Sequence, residues 1–453
     1  MTRVLIPSGA LGLGYDADAL AAGIAAKPDI IAIDGGSTDS GPHYLGTGTS
    51  KYSRASTKHE WRGLMMARAV ANVPLVIGTA GTCGTDSTVD WLFEITKEIA
   101  AETGQHLKIS RLKSSQTAAK IVDAFTAGDI SALPAAPAID ADIIESCTNI
   151  VALAGAEQIQ TALATGADII IAGRTTDTAI IAALPLAQGC HAGAAWHGAK
   201  IGECGALCAT NPQSGVILVD FDNDGFTITP MAETSCATPQ TVFAHMLYEN
   251  SDPFILFEPG GHLDVTAAKY TALNERRVRI TGSKWVPAPD YTVKLEGARL
   301  AGYQSVVIAL LRDPRYVANA RVWCVDIVEK CAAKAIERLD ISPDKFNIEL
   351  RLIGDNATLG QLETSPAKSH EIGVLGIVTA NSDALAREIA KLLNPYLLHH
   401  PLTQSEEQPT FAFPFSPAEI SRGAIYEFCL NHVLRLDDPM QAFTLTVEDI
   451  GNA

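Results

Sequence analysis

The chain has 453 residues, 47% of them apolar and 19% charged, with a net charge of −17 at neutral pH. That length leaves room for two or three domains with ample core, while the acidity and the lack of any densely basic stretch argue against nucleic acid or an anionic membrane as a partner. No run of about 18 apolar residues occurs, and the start of the chain runs straight into a strand pattern without the apolar stretch of a signal peptide, so a non-membrane, cytoplasmic protein is expected.

The first two hundred residues alternate strand and helix patterns. Arg3–Pro7 reads as a strand that ends in the Gly-rich turn Ser8–Gly14, and Asp16–Lys27 as a helix. Asp29–Ile33 is an apolar, β-branched strand. It opens into Asp34–Arg54, DGGSTDSGPHYLGTGTSKYSR, about twenty mostly polar residues tethered to a core strand. Long polar loops inside compact domains are usually functional. Helix Lys58–Val73, strand Pro74–Ile77, loop Gly78–Asp86 and helix Ser87–Thr103 follow. Next come strand Leu107–Leu112, loop Lys113–Gln116, helix Thr117–Phe125 and a Pro/Ala-rich connector at Pro134–Asp140. Val151–Ala154 reads as a strand, Glu157–Ala164 as a helix, and Asp168–Ala172 as a buried strand ending in Gly173–Thr178. This alternation predicts βαβ units in a parallel sheet with helices on both faces.

Beyond residue 190 the pattern changes. Trp196–Ala209 reads as a helix, and Gly215–Phe221 with Gly225–Ile228 as a hairpin about an Asn-Asp-Gly turn. Thr238–Tyr248 reads as a helix; Phe254–Phe257 and Val278–Thr281 read as strands. From about residue 290, strands Tyr291–Leu295, Ser305–Leu311, Asn347–Ile353 and Gly373–Thr379 mix with helices Ala318–Leu339 and Ser382–Leu393. The expected layer is a smaller α+β domain of ferredoxin-like kind. Leu402–Pro417 reads as a linker or arm, and the remainder as one helix and one strand. The expected division is an α/β core over 1–289 with an inserted hairpin region, an α+β domain over 290–400 and an extension over 401–453.

In a parallel sheet, ligands bind beyond the carboxyl ends of the strands. Five of the predicted strands end in Gly-, Ser- or Thr-rich loops that would share that edge. Their composition suits a small anionic organic acid. Ser37, Thr38, Ser53, Thr82, Ser115 and Thr175 are hydrogen-bond donors, and Arg54 and Arg174 form an anion clamp, with Asp177 beside them. Asp34, Asp39 and Lys51 are the candidates for acid and base, and the two aspartates also for oxygen ligands to a divalent metal such as Mg2+. A second cluster, Glu258, His262, Asp264, Lys294 and Glu296, offers His262 as a further catalytic group. Cys204 is a weaker nucleophile candidate in Gly202–Cys204, since nothing local lowers a thiol pKa. The nine cysteines are irregularly spaced, without a CxxC pair, and read as reduced thiols. P-loop, dinucleotide-binding, GxSxG and HExxH signatures are missing.

The Gly-rich N-terminal turn, GADIIIAGRTTDTA (Gly166–Ala179) and GECGA (Gly202–Ala206) together resemble the acyclic terpene utilisation AtuA-like family. The loop at Asp34–Arg54 is similar to a non-terpene branch of it. The resemblance covers roughly residues 3–400. It implies a cytoplasmic α/β protein in catabolism of small carboxylic acids or their acyl thioesters, sometimes with a small companion protein. Together with the loops, it supports a hydratase- or dehydratase-type lyase, expected to be a homo-oligomer. The alternative is a ligand-binding or regulatory subunit.

Overall fold

The structure is a computed structural model that describes residues 1–365 and 369–451. The chain divides into two compact units. One comprises Met1–Arg299 together with the segment from Glu427 onward, and the other Leu300–Tyr426. The expected boundary at 289/290 therefore moves ten residues on, and residues beyond 400 do not form a piece of their own. They are shared between the two units.

The first unit is built on a ten-stranded sheet. Its strands are β1 (Thr2–Ile6), β2 (Ile30–Asp34), β3 (Leu75–Gly78), β4 (Leu107–Lys113), β5 (Ile169–Ala172), β6 (Ile217–Phe221), β7 (Gly225–Pro230), β8 (Lys269–Ala272), β9 (Val278–Thr281) and β10 (Thr444–Ile450). The order across the sheet is β8-β9-β7-β6-β1-β2-β3-β5-β4-β10. The five central strands, β1-β2-β3-β5-β4, pair in parallel, as the alternation predicted. The strands on either side are antiparallel, including the expected hairpin β6–β7.

Successive side chains of a strand face opposite ways, and here both faces are apolar, as covered parallel strands require. Leu5, Ile31, Ile33, Leu75, Ile77, Ile109, Ile169 and Ile171 pack under helices α1 (Ala17–Ala25), α2 (Arg54–Ala71) and α3 (Asp86–Thr103). Val4, Ile6, Ile30, Ala32, Val76, Ile170 and Ala172 pack under α4 (Ala156–Leu163), α5 (Ala179–Ala187) and α6 (Ala192–Gly202). The strand predicted near Val151 lies at Cys147–Ala152 and stands outside this sheet, paired antiparallel with residues 295–299. A short helix, α7 (Pro239–His245), follows β7.

The second unit holds helices Ala320–Leu339 and Asp383–His399 packed on a sheet through Trp323, Ile327, Ile389, Leu393 and Leu397. Ile372–Ala380 pairs antiparallel with both Phe346–Ile353 and residues 303–311. The sheet order, second-third-first-fourth in chain order, is that of a ferredoxin-like βαββαβ layer. Two local expectations are corrected. Tyr291–Leu311 is one strand, not two. Gly297 lies where an added Cβ would meet the Leu430 side chain at 2.7 Å, so this glycine marks close packing, not a turn. The end of the chain holds two strands, Glu419–Leu436 and Thr444–Ile450, and no helix among the described residues. Leu430, His432, Leu434 and Leu436 are buried at a spacing of two, which is strand periodicity. No described helix is long and apolar enough to cross a membrane.

Candidate functional site

The parallel arrangement brings the loops after β1, β2, β3 and β5 to one edge of the first unit. A cleft of about 460 Å³ opens there. Its lining includes Ser8 and Gly9 after β1, Asp34, Ser37, Asp39, Lys51 and Tyr52 after β2, Thr82 after β3 and Asp177 after β5. Cys204, Tyr248 and Glu249 close the opposite side.

The long loop after β2 is ordered by local devices. Thr38–Ser40 and His43–Thr47 are single helical turns. Leu45 is fully buried against Cys83, Val151 and Ala298, and Asn149 donates to its carbonyl at 2.9 Å. One apolar residue therefore pins a segment that reads as polar throughout. Gly36 sits at φ +112°, which lets its N–H turn back to Asp34 Oδ2 at 3.0 Å. Two β-branched residues of the neighbouring loop, Thr79 at φ +45° and Thr82 at φ +79°, occupy the left-handed region. Such strain is characteristic of binding loops held by their surroundings.

Asp34, at the end of β2, is 4% exposed. Its Oδ2 accepts from Gly36, and its Oδ1 has no hydrogen-bond partner. Burial pushes its carboxyl well above the ordinary range. The Asp177 charge adds to that, and Arg174 opposes it. Asp177 is raised for the same first reason, burial, with Arg174 pulling the other way. Lys51 Nζ donates to Ser40 Oγ at 2.8 Å, and its backbone N–H reaches Thr82 Oγ1 at 3.4 Å. Ser37 Oγ donates to Asp39, which is exposed at the mouth.

Arg174 lies behind the cleft. Its Nε donates to Glu296 Oε2 at 3.0 Å and its Nη2 to Oε1 at 3.3 Å. Further bonds run to Thr79 and Thr38, and Asp177 Oδ1 stands 3.8 Å away. Thr38 itself donates to Glu296. Burial opposes ionisation of Glu296, but Arg174 and Lys294 prevail and hold it down at about 2. The guanidinium is thus already matched by a buried carboxylate. Thr175 is buried beside Thr79 and supports the same layer.

Four expected site residues lie elsewhere. Arg54 begins α2 and bridges at the surface to Glu98 of α3 at 2.5 Å, so the Arg54–Arg174 clamp does not form. Arg54 opens α2 while Glu98 lies well along α3, and the two helices run side by side, so charges on their facing sides meet. Ser53 is the N-cap of α2, accepting from Ser56 N–H at 3.3 Å. Ser115 exchanges hydrogen bonds of 3.0 Å with Asp86 at the start of α3. His262 is on strand Gly261–Asp264, whose Leu263 points into the core. Alternation sends His262 to the other face, beside exposed Phe257. The second predicted cluster therefore separates. Glu296 joins Arg174, while Glu258 accepts from Thr178, keeps a buried Oε2 without a partner and is pushed up to about 7 by burial.

Residues outside the expected set are also present. Tyr52, Tyr248 and Glu249 line the cleft. Cys204 does so too, and burial pushes its thiol up, so a thiolate nucleophile is disfavoured. Beneath them Lys200 donates to Glu203 and, at 3.0 Å, to the Tyr248 carbonyl. Burial pushes Glu203 up to about 8. GECGA was the only signal in sequence for this wall. For divalent cations, the cleft carboxylates offer oxygen ligands of the Mg2+ kind. Glu203, Cys204 and His245 offer a mixed set, their ligand atoms within 4.8 Å of one another.

A family model described as acyclic terpene utilisation family protein AtuA matches residues 56–413. The chain belongs to this family. No curated protein and no solved structure matches it. The match includes Arg174, Asp177 and Cys204, whereas Asp34, Asp39 and Lys51 precede it.

Proposed function

We propose that this AtuA-family chain is an acid/base enzyme of the hydro-lyase kind, acting on a small carboxylic acid or its acyl derivative in the cleft. The observation that carries the reading is Asp34, a buried carboxyl with an unpartnered oxygen, at a strand end beside Asp177 and Lys51. Two carboxyl groups whose environments differ are suited to opposite proton roles. Asp34, whose neutral form burial favours, is the acid that delivers a proton to a leaving hydroxyl. Asp177, near the Arg174 guanidinium, is the base that takes the proton alpha to the substrate carboxylate. Lys51 faces the carboxylate, and charge develops on its oxygens as the proton leaves. Asp39 stands at the mouth, where it suits entry better than chemistry. The nine cysteines are free, the state that a reducing cytoplasm maintains.

The test is a screen of purified protein against 2- and 3-hydroxy acids and their acyl thioesters, following absorbance of the conjugated product. Asp34→Asn is expected to lower kcat by at least about 100-fold, in the range of a lost general acid. Lys51→Ala is expected to raise KM more than it lowers kcat. Full activity in Asp34→Asn would refute the assignment. Saturable binding of acids with no turnover would favour a binding subunit whose companion carries the chemistry.

A further inference from the structure

We propose that Glu203, Cys204 and His245 form a binding site for a divalent metal of the zinc class, with its open position facing the cleft. The three side chains come from two elements. Glu203 and Cys204 follow directly on α6, and His245 ends α7. One ligand atom of each lies within 4.8 Å of the other two. In a tetrahedral zinc site, bonds of about 2.0–2.3 Å put neighbouring ligand atoms roughly 3.2–3.8 Å apart. Small side-chain rotations therefore close the set.

A second observation points to a ligand. His245 is 5% exposed, and its Nε2 is buried with no hydrogen-bond partner. A buried ring nitrogen left unpaired is costly, and a metal ion satisfies it. The donor set also selects the ion. One sulfur, one nitrogen and one oxygen suit zinc and its first-row neighbours, and not Mg2+, which takes oxygen ligands.

Lys200 is the obvious objection, because its ammonium is already paired with Glu203. It occupies only Oε1 of that carboxylate and is tied at 3.0 Å to the Tyr248 carbonyl. The other carboxylate oxygen remains for the metal, with Lys200 orienting the ligand as outer partners do. The surrounding field favours a cation. Leaving Asp34 aside as the proton donor, Asp39, Asp177 and Glu249 line the cleft against one lysine, Lys51. Cys204 is itself part of that lining, so the fourth position opens where a substrate oxygen would lie. Three protein ligands with one open position is the arrangement of catalytic zinc. Such an ion polarises a carbonyl or carboxylate oxygen. This goes beyond the acid/base reading and does not depend on it.

The experiment uses the full chain without an affinity tag, stripped of metal and then dialysed against Zn2+ or Co2+. One zinc per chain is expected. X-ray absorption at the zinc edge should show one sulfur among nitrogen and oxygen donors, a readout that needs no variant. With Co2+, a thiolate-to-metal charge-transfer band is expected. It should vanish in Cys204→Ser and persist in Cys331→Ser, a control at a cysteine of the second unit. His245→Gln should weaken zinc binding by at least the roughly 10–100-fold that outer-shell changes produce. Circular dichroism of each variant checks the fold. No retained zinc, a donor set with two or more sulfurs or none, or an unchanged cobalt spectrum in Cys204→Ser would overturn the site. Metal binding is read without substrate, so failure to find turnover leaves it standing and counts only against the acid/base reading.

Discussion

Glu296→Gln tests the layer on which the cleft rests. Glu296 is 5% exposed and Arg174 6% exposed, joined by two hydrogen bonds, with Thr38 donating to the same carboxylate. Breaking a buried pair by neutralising one member costs about 3–5 kcal/mol, because the remaining charge is left uncompensated. Asp177 stands 3.8 Å from the guanidinium and takes over part of the compensation. The lower end, about 3 kcal/mol, is therefore expected, a change of roughly 150-fold in the folding equilibrium. With a urea slope of about 3 kcal/mol/M, the midpoint falls by about 1 M. Urea titration followed by the fluorescence of Trp61, Trp91, Trp196 and Trp285, all in the first unit, reads it. A double variant, Arg174→Met with Glu296→Leu, should recover most of the loss, since apolar replacements of both partners are often neutral or better. A loss below about 1 kcal/mol in Glu296→Gln, or a double variant weaker than the single one, would refute the view that Arg174 is held by Glu296.

Other outcomes follow from the same geometry. Glu258 is pushed up to about 7 by burial, above its ordinary value. Its contribution to stability is thus fully present below about pH 4.5 and is lost as pH rises through 7. Glu258→Gln should match the parent near pH 4.5 and exceed it above pH 7, by about 3 kcal/mol at most. Thermal unfolding across that range decides it, and a gap independent of pH would count against it. Arg54→Ala removes an exposed ion pair with Glu98, so calorimetry should show less than about 1 kcal/mol of lost stability and unchanged acid binding; weakened binding would return Arg54 to the site. Cys147 and Cys429 have sulfurs 3.0 Å apart, and a mild oxidant such as diamide should take two hydrogens from the pair to form a disulfide. Peptide mapping of the oxidised protein checks this, and both thiols remaining free would refute it.

The sequence by itself determined the central sheet and the edge at which its loops gather. Unbroken runs such as Ile30–Ile33 and Ile169–Ile171, spaced by amphipathic helices, have one stable solution, a parallel sheet covered on both faces. Each run ends in a polar, Gly-rich loop, so parallel pairing alone places Asp34, Ser37, Asp39, Lys51, Thr82 and Asp177 around one cleft. Side-chain direction and partnership were decided only by the tertiary structure. Arg174 and Glu296 are 122 positions apart, and only the folded chain shows that they neutralise each other. His262 and Leu263 are neighbours in sequence, yet the pleat and the core beneath it send one out and the other in. Glu203, Cys204 and His245 meet because the turn Gly205–Cys208, which follows α6, packs against α7, a convergence that no spacing along the chain encodes. Local periodicity fixes which elements form. Which long-range partners meet depends on how those elements pack, and that information is spread over the whole core.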